Sequence, residues 1–95
     1  MNDGHIFIDD EITPATLQYV KDRIAQSVNA PKLTVHIQSP GGSVYAGYNI
    51  YHALKATGKP IECIVEGEAQ SMATFIALAA SPGQLKICNP SIWMI

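Results

Sequence analysis

The chain alternates between two hydrophobic periods, and that alternation limits its fold more than any single residue does. His5-Ile6-Phe7-Ile8 reads as a short strand ended by Asp9 and Asp10. Thr13-Pro14 reads as an N-cap and first helical position. Leu17, Val20, Ile24 and Val28 come next at helical spacing, so the pattern predicts a helix over 14–28, stopped by Asn29 and Pro31. Residues 33–38 alternate as a strand does. Residues 43–57 form a second helix, with Gly47, Ile50, Leu54 and Thr57 along one side and Val44, Tyr48 and Tyr51 beside them. After the Gly58-Lys59-Pro60 break come a strand over 61–65 and a helix over 71–80. Ser81-Pro82-Gly83, a strand over 85–88, an Asn89-Pro90 turn and a strand over 91–95 complete the chain. Strand–helix units opening at residues 5, 33 and 61 imply a mostly parallel sheet with right-handed crossovers.

Ninety-five residues make one domain at most. A domain of that size buries somewhat over 60% of its unfolded surface. Against this thin core, 47% hydrophobic and 15% charged residues is an apolar balance. It points to an oligomer surface or to part of a larger fold. Ile92-Trp93-Met94-Ile95 ends the chain inside an apolar run, so residues 1–95 are expected to form a single, partial domain. A net charge of -2 with scattered Lys and Arg leaves no basic footprint for nucleic acid. The longest apolar run, Met72 to Ala80, falls far short of the roughly 20 residues a membrane span needs. The start at Met1-Asn2-Asp3-Gly4 has no secretory apolar region, so a soluble cytoplasmic protein is expected. Cys63 and Cys88 lie in apolar runs and are expected as buried free thiols. No metal-ligand spacing occurs, and no cofactor is implied.

Two glycine-marked turns stand at the carboxyl ends of consecutive strands: Ser39-Pro40-Gly41-Gly42 and Gly67 to Ser71. In open α/β sheets that is where sites form, so both turns should line one crevice. Acyl transfer needs a nucleophile and donors for the developing oxyanion. Ser71 can be the nucleophile. The backbone N–H of Met72, at the start of a helix, has no intrahelical partner. Gly42 can bring a second N–H close to a substrate carbonyl, with Gly41 and Gly67 shaping the turns. Each such donor is worth roughly 3–4 kcal/mol of barrier, and the helix dipole adds a little. Taken singly, Ser71 reads as a helix cap and Pro40-Gly41-Gly42 as a plain turn; the spacing of the two, one helix apart, raises the odds of a site. The three histidines offer no evident base. His5 opens the first strand as a surface residue, His36 sits on a sheet face or interface, and His52 is a solvated residue of the second helix.

Gln38-Ser39-Pro40-Gly41-Gly42-Ser43-Val44-Tyr45-Ala46-Gly47-Tyr48-Asn49-Ile50-Tyr51 resembles the signature of the ClpP peptidases. Gly67-Glu68-Ala69-Gln70-Ser71-Met72-Ala73 resembles that family's nucleophile segment. Asn89-Pro90-Ser91-Ile92-Trp93-Met94-Ile95 resembles the segment that leads to its histidine. The resemblance runs from Ile6 onward and is nearest to phage- and prophage-type members. It implies a ClpP/crotonase-type α/β fold of repeated βα units, present in part, with a mostly parallel sheet. It implies Ser71 as nucleophile, Gly42 and Met72 as oxyanion-hole donors, peptide or protein substrates, self-association into rings, and a possible Clp-type ATPase partner. The family's histidine would come directly after Ile95 and its aspartate would lie beyond, so the 95-residue chain alone is expected to cleave peptides barely. Gln70 stands where alanine is common, and only five residues precede Ile6, leaving the family's axial N-terminal segment short or absent.

Other readings stay open. One is a non-catalytic, truncated prophage-type assembly subunit associating through Tyr45, Tyr48, Tyr51 and Trp93. Another is a signal-peptide-peptidase-like Ser/Lys hydrolase; Lys86 is the only lysine beyond Ser71 and reads as an ordinary solvated one. Enoyl-CoA hydratase-like proteins pair similar N–H donors but usually carry glycines where Ser71 and Met72 stand.

Overall fold

The computed structural model of the chain describes residues 4–88 and 91–94. Met1-Asn2-Asp3, the Asn89-Pro90 turn and Ile95 lie outside the described residues. The order is β1 (His5–Ile8), α1 (Pro14–Gln26), β2 (Leu33–Ser39), α2 (Val44–Ala56), β3 (Ile61–Gln70), α3 (Met72–Ala77), β4 (Leu85–Ile87) and β5 (Ile92–Met94). All pairings are parallel, in the order β1-β2-β3-β4. β5 also pairs with β3, alongside its carboxyl-terminal half. The expected α/β class, order of elements along the chain and parallel sheet are therefore observed.

Alternation along the strands decides which sheet face carries the core. Ile6, Ile8, Val35, Ile37, Cys63, Val65 and Ala69 are buried on one face, together with Leu17 and Val20 of α1, Ile50 and Leu54 of α2, and Ala73 and Ile76 of α3. The other face carries the residues between them: His5, Phe7, His36 and Glu66. There His36 stacks on Phe7 with ring centroids 4.4 Å apart, and its ring nitrogens meet His5 at 2.8 Å and Glu66 at 3.0 Å. His36 is thus a sheet-face residue, as its position on the strand implied.

Four expectations are corrected. First, α1 stops at Gln26, not residue 28. Ser27 turns the chain, its hydroxyl donating to the Arg23 carbonyl at 2.7 Å, and Val28 is 72% exposed. The freed carbonyls of Ser27, Val28 and Ala30 all accept from the Lys59 ammonium, which answers the need of every helix end for outside partners. Second, the segment from Gly67 is not a turn: β3 runs on to Gln70. Ile37 pairs with Val65 but Ser39 with Ala69, so β3 spends two extra residues against β2, with Gly67 at φ 115°. Such a bulge bends a strand and re-aims the residues beyond it. Third, α3 covers only six residues, succeeded by i→i+3 bonds that take Leu78, Ala79 and Ala80 out of it. Fourth, Cys88 is exposed; it comes just after β4, an edge strand of three exposed residues. Cys63 is buried as expected, and burial pushes its thiol up to about 12, which keeps it protonated and removes it as a rival nucleophile.

Candidate active site

The site is built on two chain reversals that press against each other. The first spans residues 39–43. Ser39, fully buried, donates its hydroxyl to the Asp10 carbonyl at 2.7 Å and accepts from the Gly41 N–H at 3.1 Å. The turn is then laced to the segment after β1: Ile12 N–H donates to Gly41 O and Ser43 N–H to Ile12 O, both at 2.8 Å. Gly42 lies between these bonds. A Cβ on Gly42 would stand 2.3 Å from the Ile12 carbonyl oxygen. The reason for glycine is therefore the backbone of Ile12 behind the turn, not room for a substrate in front of it. Among the described residues, no partner takes the Gly42 N–H.

The second reversal joins β3 to α3 at Ser71. Ser71 is exposed and has φ 55° and ψ -123°, a positive φ that no other described non-glycine residue adopts. Such a conformation costs on the order of 1–3 kcal/mol and persists only where the surroundings enforce it. Here its N–H donates to the Met94 carbonyl at 2.8 Å, and its own carbonyl accepts from the Thr74 N–H at 3.0 Å. The Ser71 hydroxyl makes no capping hydrogen bond. By contrast Thr13 and Ser43 cap α1 and α2 through their hydroxyls. Ser71 is thus not a helix cap. It is a hydroxyl held outward on a strained strand-to-helix turn, the local shape by which α/β hydrolases expose a nucleophile. Ala69 and Ala73, two residues to either side, are both fully buried, where larger side chains would crowd the bend.

The two reversals meet at Gly41. Its φ is 104°, and a Cβ placed there would lie 2.7 Å from the Gln70 carbonyl oxygen, 2.9 Å from Ser71 Cβ and 3.4 Å from Met72 N. Gly41 therefore presses on residues 70–72, while Gly42 packs on Ile12. Met72 is seated from behind, because its side chain packs on Gly47 of α2, where a Cβ would stand 2.8 Å from the Met72 methyl. The Met72 N–H has no acceptor among the described residues. Beside Ser71 opens a mainly apolar cavity of about 320 Å³, lined by Ser71, Met72, Thr74, Phe75, Leu78 and Trp93.

No histidine is brought to this site through a hydrogen bond to Ser71 among the described residues. His5 and His36 bond each other on the open sheet face, and His52 lies against Tyr48 and Tyr51 of α2. Lys86 is also elsewhere. It pairs beside Ile64 and holds Glu62 at 2.6 Å. The hydrogen bonds from Lys86 and then Lys32 pull the Glu62 carboxyl below its ordinary range. Ile64 lies seven residues before Ser71; with the two extra residues of the bulge discounted, about five extended steps, roughly 16 Å at about 3.3 Å per residue, separate them. A Ser/Lys pair between Ser71 and Lys86 is therefore out of reach. No group of three His, Cys, Asp or Glu among the described residues is arranged to hold a metal, and no helix among them is long and apolar enough to cross a membrane.

Sequence reasoning missed three contributors. Ser39 and Ile12 anchor the first turn, and only the fold shows it. Thr74 carried a signal: it is the only hydroxyl inside the apolar run that begins after Ser71.

The sequence model of the Clp protease family matches residues 1–95. An ATP-dependent Clp protease proteolytic subunit of Porphyromonas gingivalis is 32% identical over 87 residues, covering 88% of this chain and 39% of that protein. One of Bacteroides fragilis is 33% identical over 87 residues, covering 88% of this chain and 42% of that protein. The chain thus spans about two fifths of the length of these curated relatives. Among solved structures, the ClpP protease catalytic domain of Plasmodium falciparum superposes with a TM-score of 0.88 at 27% identity, over 97% of this chain and 54% of that one.

Proposed function

The chain belongs to the Clp protease family, and from that premise we propose that it is the nucleophile-bearing part of a serine endopeptidase subunit. In this reading residues 1–95 form a single, partial domain. Ser71 attacks the peptide carbonyl, and the N–H groups of Gly42 and Met72 receive the oxyanion. The observation that carries the reading is the contact of Gly41 with Ser71 and Met72. That contact supports the reading because it sets the first turn, with Gly42 next in the chain, against the exposed Ser71 and the Met72 nitrogen. The adjacent apolar cavity suits a large apolar side chain next to the scissile bond, filling a volume lined by Phe75, Leu78 and Trp93.

Proton removal from Ser71 requires a base, and no histidine or carboxylate bonds to it among the described residues. Oxyanion donors and binding alone support roughly 10³–10⁴-fold over water, far below a full triad. The purified 95-residue chain is therefore expected to cleave a fluorogenic peptide with a large apolar residue before the bond only slightly above background. Ser71→Ala should remove that excess. Rapid turnover would contradict the need for an outside base, and turnover surviving Ser71→Ala would contradict the nucleophile.

Self-association belongs to the same proposal, as does a Clp-type ATPase partner in the intact assembly. What supports association is the exposure of Val44, Tyr45, Tyr48 and Leu78 on α2 and after α3, with Ile92 and Met94 of β5. Exposed large apolar side chains are the raw material of interaction surfaces. The same surface also serves the reading as a non-catalytic, prophage-type assembly subunit, which differs only in whether Ser71 reacts. Sedimentation velocity over a concentration series should show oligomers that dissociate in the Tyr45→Glu/Tyr48→Glu variant. A single monomer boundary at every concentration would contradict it.

A further inference from the structure

Thr74 is buried, with 4% of its surface exposed, yet it lies in α3 one turn behind an exposed serine. Its hydroxyl donates to the Ser71 carbonyl oxygen at 2.6 Å, and its N–H donates to the same oxygen at 3.0 Å. A threonine hydroxyl bonded to the carbonyl a turn earlier is ordinary in helices. The carbonyl here is not ordinary. It belongs to the one described non-glycine residue with positive φ. It also shares a rigid, planar peptide unit with the Met72 N–H, and in a trans peptide the two groups point opposite ways. Whatever fixes the Ser71 C=O therefore aims the Met72 N–H.

We propose that Thr74 is a positioning residue: by holding the Ser71 carbonyl it fixes the Ser71–Met72 peptide plane and so aims the Met72 N–H at the oxyanion. The proposal rests on the reading of Ser71 as nucleophile. Two bonds to one oxygen leave the plane little freedom to rotate, while the bond from Ser71 N–H to Met94 O restrains the preceding plane. Ser71 is thereby clamped on both sides without any use of its own hydroxyl.

The test is binding of a peptide boronic acid with a large apolar residue beside the boron, monitored by boron NMR. The Ser71 Oγ–B bond forms by adding the serine oxygen to trigonal boron, with the proton released to solvent, and a boron-bound oxygen then occupies the oxyanion position. The boronate is expected to bind Thr74→Val about tenfold more weakly than wild type, with Thr74→Ser restored to within about twofold. The same peptide ending in a carboxamide should bind all three alike, which a merely structural role would not predict. In amide spectra the Met72 resonance should move in Thr74→Val and hold in Thr74→Ser. If Thr74→Val does not fold, Thr74→Ala carries the same comparison. Undiminished boronate binding by the hydroxyl-free variant, or an unmoved Met72 resonance, overturns the proposal while leaving Ser71 standing. Equal tetrahedral adduct in Ser71→Ala overturns the nucleophile reading and this inference with it.

Discussion

Replacing Gly41 with alanine is expected to destabilise the chain by roughly 2–4 kcal/mol, the sum of a positive-φ penalty and overpacking. Both effects act at this position. The φ of 104° is unfavourable for any residue with a Cβ, and that Cβ would stand 2.7 Å from the Gln70 carbonyl and 2.9 Å from Ser71 Cβ. Backbone cannot yield as a flexible side chain does, so the turn or Ser71 must move. Gly58 supplies the control. It has φ 70°, but nothing lies within 4 Å of its added Cβ. Gly58→Ala therefore meets only the conformational penalty, partly offset by a less free unfolded chain, and should cost about 1 kcal/mol or less. At about 4–8 °C per kcal/mol for a domain of this size, thermal unfolding monitored by circular dichroism should separate the two variants clearly. Equal melting temperatures would mean that the two reversals are not in contact as described.

The elements were legible in the sequence because each obeys one local rule at a time. Thr13-Pro14 starts a helix and does so in the structure, with Thr16 closing a capping box that the sequence does not announce by the usual glutamate. The breaks at Gly58-Lys59-Pro60 and Ser81-Pro82-Gly83 fall between elements as read. What failed was local chemistry overruled by tertiary partners. Val28 fits the helical stripe of α1, but Lys59, arriving from over thirty residues later, takes the carbonyls beyond Gln26 and rewards an early stop. Gly67 to Ser71 reads as a turn, yet β5 arrives to pair Glu68, Ala69 and Gln70 and keeps the chain extended. A strand that finds a late partner cannot be recognised from its own residues.

The site was half legible. The spacing of the two glycine-marked segments implied one crevice, and the fold brings Gly41 against Ser71 and Met72. Gly42 is needed on the opposite side from the one its place in the turn suggests, because its crowding neighbour is Ile12 behind the turn. The unusual backbone of Ser71 had no signature at all. Serine has no preference for φ 55°, and Met94 on one side and Thr74 on the other hold it there. Those partners are set by pairing and by a single buried hydroxyl, which a scan for periodicity passes over.

The second large effect concerns Ser71 itself and tests the central claim most directly. A fluorophosphonate with an apolar tail reacts when serine Oγ attacks phosphorus, the P–F bond breaks, fluoride leaves and the serine proton passes to solvent. Its phosphoryl oxygen then occupies the position assigned to the peptide oxyanion. Preorganised donors contribute about 10²–10³-fold to such a step even where a base is lacking. Peptide mapping by mass spectrometry should therefore find one adduct, on Ser71. It should form at least ~10²-fold faster in the folded chain than in the chain unfolded by urea, and vanish in Ser71→Ala. Labelling that is spread over other serines, unchanged by Ser71→Ala, or no faster in the folded chain would contradict the account.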